Sequence, residues 1–257
     1  MLPTVARCIL AASFPPRKVP GTYPIGLESA YVTECDRAET GRHGLGTTEE
    51  QQRDGSFDMR ILVVGASGTI GKAVVAELEE RHDVVSAGRT SGAVRLDITV
   101  RESIRSAFEQ FGSVDAVVSA AGSVKFAPFG EMSHDDYTLG LEDKLMGQVN
   151  LVLIGREYVS DGGSFTLTSG VLDSDPIVAG SSASMVNGAI NSFVKAAAIE
   201  MPRGQRINAV SPGVIEEAMG AYAPFFRGFE PVPAARAALA YAKSAEGAQT
   251  GQVFRVV

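Results

Sequence analysis

The chain has 257 residues, of which 45% are hydrophobic and 21% charged, and its formal net charge at pH 7 is -7. This length and apolar content suit one sizeable domain, and the acidic balance argues against nucleic acid or an anionic membrane as the main partner. No apolar run approaches the roughly 20 residues that span a bilayer, and the start lacks a secretory signal pattern. We therefore expect a cytoplasmic protein with neither nucleic-acid nor membrane partners.

Cysteine and histidine are too sparse for metal chemistry. The two cysteines, Cys8 and Cys35, both precede residue 58, and the three histidines are far apart in sequence. We therefore expect no metal site, and no disulfide after residue 58.

Residues 1–58 contain scattered Pro and Gly and the polar run TGRHGLGTTEEQQRDGS, without a sustained period of two or 3.6. Such a segment is unable to bury a core, and we predict a disordered or loosely attached extension. Met59 then opens MRILVVGASG. The extension is therefore either an artefact of a gene start placed too early or a targeting or regulatory tail, and the sequence leaves both open.

Residues 59–257 alternate short apolar strands with helices. Predicted strands cover 60–64, 84–87, 93–96, 115–119, 164–168, 206–210 and 252–256, and predicted helices cover 71–81, 100–111, 134–157, 183–201 and 233–243. Near-continuous apolar strands between helices indicate a parallel sheet covered on both faces. We predict a single doubly wound α/β domain of Rossmann type, with a mostly parallel seven-stranded sheet.

Three glycines at equal spacing follow the first predicted strand. Gly65 ends the strand, Gly68 comes three residues later, and Gly71 begins the first predicted helix. In such a unit one glycine permits a tight turn, one lets the backbone approach a pyrophosphate, and one lets helix and strand pack closely. The helix N-terminus would hold the phosphates, with the Ser67 and Thr69 hydroxyls as further donors. The pattern predicts a dinucleotide site.

The end of the second predicted strand favours NADP(H) over NAD(H). An NAD site usually has an acidic residue there for the ribose 2'-OH, whereas this chain reads VVSAGRTSG, with Arg89, Thr90 and Ser91. A guanidinium and two hydroxyls suit a 2'-phosphate, although Arg89 is also explained as a solvated loop charge. Asp97, which ends the third strand, either accepts a hydrogen bond from the adenine amino group or caps the following helix.

Several landmarks occur in order: the glycine turn, RLDIT, SAAG at 119–122, TLTSG, RINAVSPGVIEE at 206–217 and TGQVFRV. With them, residues 59–257 resemble the short-chain dehydrogenase/reductase family over their whole length. The resemblance implies hydride transfer between nicotinamide and a small carbonyl or alcohol substrate. It also places further cofactor contacts at Ile70, Ala120, Ala121, Gly122, Pro212, Gly213 and Val214.

The family's usual active site contains a Ser, a Tyr and a Lys four residues after the Tyr. Ser169 matches the Ser, but Ala183 stands at the Tyr position and Asn187 at the Lys position. Lys144 stands where the family has an Asn in the preceding long helix. We predict that Ser169 orients the carbonyl and that Lys144 supplies the missing charge or proton. The alternative is a solvent-facing helix lysine.

Other features leave alternatives open. Glu217 replaces a Thr that usually meets the cofactor, and its charge would repel a pyrophosphate unless the loop turns it outward. Further hydroxyls that could reach the site belong to Tyr137, Ser181, Ser182 and Ser184, although surface or turn hydrogen bonds explain them as well. An aromatic loop follows the sixth strand, and it covers a substrate, the domain's own core or a neighbouring subunit; its residues are Tyr222, Phe225, Phe226 and Phe229.

The helix predicted at 183–201 has an apolar face wider than one stripe, which indicates contact with a second copy of the chain in a homodimer or homotetramer. Its apolar residues are Met185, Val186, Ala189, Ile190, Phe193, Val194 and Ala197. Taken together, the sequence predicts an NADP(H)-dependent oxidoreductase with an atypical active site. The alternatives are a catalytically inactive NADP(H)-binding sensor or regulatory protein and a purely structural subunit.

Overall fold

A seven-stranded sheet forms the centre of the computed structural model, which describes residues 58–257. The strands run in the order β3-β2-β1-β4-β5-β6-β7, and every neighbouring pair is parallel. They are β1 Arg60–Val64, β2 Asp83–Gly88, β3 Val94–Arg95, β4 Val114–Ser119, β5 Val159–Thr168, β6 Arg206–Pro212 and β7 Val253–Val256. The predicted doubly wound α/β fold is confirmed.

Helices cover both faces of this sheet. They are α1 Thr69–Leu78, α2 Arg101–Phe111, α3 His134–Gly140, α4 Gly147–Gly155, α5 Ser181–Ala197, α6 Met219–Tyr222 and α7 Ala234–Glu246. Along β1, Ile61 and Val63 pack in the cluster that holds residues of α1 and α7, whereas Leu62 and Val64 pack in the cluster of α2, α4 and α5. All four side chains are buried, which explains the continuous apolar run in the sequence.

The helix predicted at 134–157 is wrong as a single α-helix. The chain forms α3, then a π-helical segment at Leu141–Met146, then α4. The first predicted helix, 71–81, also differs in its bounds, since α1 begins at Thr69 and ends at Leu78. It begins earlier than predicted because the glycine at position 71 is accommodated inside the helix. The strand predicted at 164–168 begins at Val159, since polar and glycine residues at its start hide it from an apolar pattern.

The strand order places a crevice at the centre of the sheet. The chain builds outward from β1 to β3 and then returns to β4 on the other side of β1, so the connections diverge at the carboxyl ends of β1 and β4. In open α/β sheets, ligands bind outside the strands at this point. The residues that follow β1, β4, β5 and β6 are therefore the ones to consider for a site.

Within residues 58–257, no helix is long and apolar enough to cross a membrane, and no three His, Cys, Asp or Glu side chains cluster as metal ligands would. The extension predicted at 1–58 lies outside these residues, apart from Asp58, and stays a prediction.

Candidate active site

The three glycines of the β1–α1 turn have distinct surroundings. Gly65 has φ +83°, and a Cβ atom there would lie 2.7 Å from the carbonyl oxygen of Ala120. A Cβ on Gly71 would collide with the carbonyl oxygen of Gly65. On Gly68 it would meet only that same oxygen, at 3.4 Å. The turn and the close helix packing therefore require glycine, and the side of Gly68 is left open.

That open side faces a cleft of about 250 Å³, which we call the glycine cleft. Its lining includes Gly65, Ser67, Gly68, Arg89, Thr90, Asp97 and the segment 120–123. Ser67, Gly68 and Thr69 are exposed at the N-terminus of α1, where unpaired backbone N–H groups favour an anion. Arg89 is exposed at the end of β2, whereas Ser91 lies outside the lining.

Asp97 makes a local turn at the edge of the glycine cleft. Its Oδ1 accepts hydrogen bonds from the backbone N–H of Thr99 at 3.0 Å and from the Thr99 hydroxyl at 2.7 Å. The hydroxyl bond is the main reason why the pKa of Asp97 lies below its usual value. This carboxylate therefore stays ionised beside the cleft, and it caps the turn that leads into α2 rather than the helix itself.

A second, larger cavity of about 420 Å³ shares the segment 120–123 with the glycine cleft, and we call it the lysine cavity. Lys144, Ser169, Ala183 and Asn187 all line it. Other predicted cofactor residues that line it are Ile70, Ala120, Ala121, Gly122, Pro212 and Gly213. Val214 is buried in an apolar cluster behind this lining. The fold thus brings residues from several loops and helices to one space.

Lys144 reaches into this space from the π-helical segment. Its Nζ donates to the backbone carbonyl of Ser169 at 2.9 Å and to Oδ1 of Asn187 at 2.7 Å. Desolvation lowers the pKa of Lys144 from 10.5 to about 8. Gly122 has φ +127°, and a Cβ there would lie 2.7 Å from Cγ of Lys144. Glycine at this position therefore makes room for the lysine side chain, and the solvent-facing alternative is wrong.

Two polar side chains fix the helical run on either side of Lys144. Asp143 accepts a hydrogen bond from the backbone N–H of Ser123 at 2.9 Å. Buried Gln148 donates to the carbonyl of Thr168 at 2.9 Å and accepts from its N–H at 2.8 Å. The run is thereby tied to the ends of β4 and β5. Gln148 was not predicted from the sequence, although a glutamine in the apolar stretch GQVNLVLIG is a signal of a buried polar contact.

Ser169 is buried directly after β5, and only 3% of its surface is exposed. Its backbone N–H donates to the carbonyl of Val210 at 2.9 Å, and its hydroxyl makes a longer bond of 3.4 Å to the same oxygen. That weak internal bond leaves the hydroxyl able to exchange partners when a ligand carbonyl arrives. Ala183, on α5, contributes only a methyl group to the cavity wall.

Glu217 is turned away from both spaces. Its carboxylate oxygens accept hydrogen bonds from the backbone N–H of Ala234 at 3.1 and 3.0 Å. Ala234 is the first residue of α7, so the negative charge stabilises the positive end of that helix. The loop turns the Glu217 side chain outward, so its charge does not face the place where a pyrophosphate would lie.

The other hydroxyls considered from the sequence do not line the lysine cavity. The hydroxyls of Tyr137 and Ser181 bond each other at 2.8 Å, Ser182 is fully buried, and Ser181 and Ser184 border a separate apolar pocket. The prediction that these hydroxyls could carry protons to this site is therefore wrong. The local hydrogen-bonding explanation holds for Tyr137 and Ser181.

The aromatic loop divides its side chains between the cavity and the surface. Tyr222 and Phe226 line the lysine cavity together with Phe126. Their rings meet edge to face, with centroids 5.8 Å apart for Phe126 and Tyr222 and 6.1 Å apart for Tyr222 and Phe226. Phe229 packs behind Phe226 at 5.2 Å, and Phe225 is 44% exposed. The loop therefore forms an aromatic wall of the cavity.

Comparison with known proteins places this chain in a family. A family model described as enoyl-(acyl carrier protein) reductase matches residues 57–254. The chain belongs to the short-chain dehydrogenase/reductase family, whose members are oxidoreductases.

The chain is similar to both curated and structurally characterised proteins. An uncharacterised oxidoreductase of Methylorubrum extorquens is 26% identical over 177 residues, which are 67% of this chain and 68% of the relative. Versicolorin reductase 1 of Dothistroma septosporum is 28% identical over 200 residues, with coverage of 66% and 73%. The crystal structure of the protein lin1944 from Listeria innocua matches with a TM-score of 0.76 and 53% identity, covering 77% of this chain and 100% of that chain. A small-chain dehydrogenase in complex with NADPH matches with a TM-score of 0.69 and 26% identity, covering 77% of this chain and 96% of that chain.

Proposed function

We propose that the chain is an NADP(H)-dependent oxidoreductase that interconverts a small carbonyl compound and its alcohol, with Ser169 and Lys144 as its catalytic residues. The observation that carries this proposal is the placement of Lys144. Its ammonium group lines a cavity that adjoins the glycine cleft, between the carbonyl of Ser169 and the amide of Asn187. A cation stands at this position although the family's Tyr and Lys are absent.

The residues of the glycine cleft fit a dinucleotide. The open side of Gly68, the exposed N-terminus of α1 and the hydroxyls of Ser67 and Thr69 would hold the pyrophosphate. Arg89 and Thr90 would hold the 2'-phosphate of NADP(H), and this is the basis for preferring it to NAD(H). Asp97 would face the adenine. When bound, the nicotinamide supplies or takes up the hydride.

In the reduction, the oxygen of the substrate carbonyl gains negative charge, and the chain's task is to stabilise and protonate it. Lys144 does both, because its ammonium group attracts the oxygen and then transfers one proton to it, leaving a neutral amine. The lowered pKa of about 8 lies near neutral pH, where a general acid can both give up its proton and regain it. The Ser169 hydroxyl donates a second hydrogen bond that orients the carbonyl, and solvent returns the proton to Lys144.

The test is NADPH oxidation by the full chain with a panel of aryl and alkyl ketones and aldehydes, with NADH in parallel. For a turned-over compound, Lys144→Met should lower kcat/KM by about 100-fold or more, as loss of a general acid does. Lys195→Met is the control, because Lys195 is an exposed lysine on α5. Full turnover by Lys144→Met would remove Lys144 from the mechanism.

A second candidate function is a catalytically inactive NADP(H)-binding sensor. The observation that favours it is the methyl group of Ala183, which leaves this part of the cavity wall without an acid/base group. A sensor would change its partner affinity or its protease sensitivity on binding NADPH, without transferring hydride. Stereospecific oxidation of NADPH by any carbonyl in the panel would decide against it.

We also propose that the chain forms a homodimer or homotetramer and works in the cytoplasm. Exposed apolar side chains support the assembly. Leu139, Met146 and Leu153 follow one another at intervals of seven residues along the run from α3 to α4, and each is more than 40% exposed. On α5, Met185 is 41% exposed, whereas Val186, Ile190 and Val194 face the core.

A further inference from the structure

The lysine cavity carries one charged side chain among the described residues that line it, and that side chain is Lys144. Both protein acceptors of its ammonium group, the Ser169 carbonyl and the Asn187 amide oxygen, are neutral. An ammonium group has three N–H donors, so one of them is left for a ligand. Within residues 58–257, no carboxylate lies within salt-bridge distance of Lys144.

The nearest acid along the chain does not compensate this charge. Asp143 borders the glycine cleft, where it accepts the backbone N–H of Ser123. Lys144 is half-buried, and a cation that is partly withdrawn from water without a counter-ion loses hydration that no protein charge replaces. A ligand that brings its own negative charge would therefore be bound preferentially, because it restores the lost charge compensation.

Asn187 adds two further donors at the same place. Asn187 is buried, with 3% of its surface exposed. Its Oδ1 accepts the hydrogen bond from Lys144. Among the side-chain hydrogen bonds of residues 58–257, Asn187 takes part in this one, and none joins its Nδ2 to an acceptor. A carboxylate has two oxygens and can accept from an ammonium and an amide at once.

The wall formed by the aromatic loop selects the remainder of the ligand. Phe126, Tyr222 and Phe226 present ring edges and faces to the cavity, and Val171 and Leu172 add aliphatic surface. An aryl group gains both burial and edge-to-face contacts in such surroundings. The cavity thus combines one cationic corner with an aromatic wall.

We propose that the lysine cavity binds aryl 2-oxo acids or the corresponding 2-hydroxy acids, with the carboxylate on Lys144 and Asn187 and the ring against Phe126, Tyr222 and Phe226. In a 2-oxo acid the carbonyl and carboxylate oxygens are adjacent, so the single ammonium group of Lys144 faces both. This substrate class rests on the proposed function, since the 2-oxo group is the carbonyl that would be reduced. The binding itself is separable from turnover.

The probe is benzoylformate, and its neutral twin is acetophenone, in which a methyl group replaces the carboxylate. Calorimetric titration of the full chain with each compound, with and without NADP⁺, measures binding without any turnover. We expect benzoylformate to bind about tenfold or more tightly than acetophenone, as a charge-assisted hydrogen bond would produce. Lys144→Met should abolish this ratio, whereas Lys195→Met should preserve it. Tyr222→Ala should weaken both compounds by a similar factor.

The outcomes separate this inference from the proposed function. Preferential binding of benzoylformate, with no NADPH oxidation by it or by any other carbonyl of the panel, supports the anion site and contradicts the proposed oxidoreductase. Turnover of acetophenone and other neutral ketones, with no preference for benzoylformate, supports the oxidoreductase and overturns the anion site. A preference that survives in Lys144→Met also overturns it, because the charge then resides elsewhere. Circular dichroism of each variant establishes that it is folded.

Discussion

Lys144 and Asn187 meet through a 2.7 Å hydrogen bond between the π-helical segment and α5, and this pair determines the electrostatics of the lysine cavity. The amide oxygen of Asn187 is a strong acceptor that does not titrate, so it holds the ammonium group in place without neutralising it. An Asp at position 187 would instead form an ion pair and raise the pKa of Lys144. The neutral partner is therefore what keeps the lysine proton available.

The rate of carbonyl reduction should depend on the protonation of Lys144. The pKa of about 8 implies a kcat/KM that is constant at lower pH and falls about tenfold per pH unit above 8, because the amine then lacks its proton. Alcohol oxidation should show the opposite dependence. The measurement is a pH profile of both directions with the same compound.

Two variants assign the inflection of that profile. Tyr222 is the other titratable side chain that lines the lysine cavity, and Tyr222→Phe should keep the inflection near pH 8. Lys144→Arg should remove it, since a guanidinium stays charged throughout. An inflection that moves with Tyr222 and not with Lys144 would assign the proton to the tyrosine.

The same pKa implies a cost in stability. The pKa of Lys144 is about 8 in the fold against 10.5 as its ordinary value, so the unfolded chain binds more protons between these values and stability rises as the pH rises through them. At pH 7, Lys144→Met should therefore be about 1–2 kcal/mol more stable, after allowing for the lost hydrogen bonds. Urea denaturation at pH 7 and at pH 10 measures the difference, which should disappear at the higher pH.

Arg89 should determine the preference for the 2'-phosphate. Arg89→Ala should weaken NADPH by about tenfold or more and leave NADH little changed, because only NADPH carries the phosphate that a guanidinium binds. Arg105→Ala is the matched control, since Arg105 is an exposed arginine on α2. Titration followed by nicotinamide fluorescence provides both affinities, and equal losses for the two cofactors would contradict the assignment.

Single residues differed in how far the sequence could predict them. Lys144 was predicted to enter the site because the family resemblance fixes its position on a helix. Its hydrogen bond to Asn187 was not predicted, because Asn187 was considered only as a residue that cannot replace the family's Lys. The role of Glu217 depended on which way a loop turns, and such a turn depends on the distant start of α7. The roles of hydroxyls such as that of Tyr137 could not be predicted either, because tertiary packing determines their hydrogen-bond partners.

At the scale of elements, the junction of β1 and α1 includes a close approach of backbone to backbone. A methyl group on Gly71 would collide with the Gly65 carbonyl, whereas one on Gly188, within α5, would meet nothing within 4 Å. Gly71→Ala should therefore destabilise the fold by about 2–3 kcal/mol. Gly188→Ala should stabilise it by about 0.5–1 kcal/mol through helix propensity. Urea denaturation compares them, and similar stabilities for the two variants would contradict this account of the junction.

The run from α3 to α4 shows what a periodic pattern conceals. Its ends are predictable, because Ser133 caps α3 through a reciprocal bond with Asp136 and apolar residues recur through α4. The π-helical turn between them is not, since it depends on contacts at both ends: Asp143 with the loop after β4 and Gln148 with β5. Segments of this kind are frequent at functional sites, and here the segment carries Lys144.

At the scale of the whole molecule, the alternation of strands and helices was sufficient to predict the sheet and its parallel pairing. The short β3 and the polar start of β5 were poorly bounded because neither buries a full apolar run. The relation between the glycine cleft and the lysine cavity could not be read from the sequence. It depends on the segment 120–123, which lines both spaces.

The association of this chain with further copies of itself is also a property of the whole molecule. The exposed side chains of Leu139, Met146 and Leu153 should be covered by a second copy of the chain, because groups of exposed apolar residues are typical of interfaces. Leu153→Glu should shift the full chain toward a smaller species in sedimentation velocity. Leu239→Glu, on exposed α7 surface, is the control. A monomeric unsubstituted chain would contradict the proposed oligomer.

The contact between Lys144 and Asn187 also constrains how such a site arises in evolution. The family's usual residues at these two positions are Asn and Lys, so the present arrangement differs by two exchanges, and stepwise change passes through either two lysines or two asparagines. Two ammonium groups in direct contact repel each other, whereas two amides can pair without charge. The intermediate that avoids this repulsion has asparagine at both positions, and its lysine cavity would carry no charge at the place where Lys144 now lies.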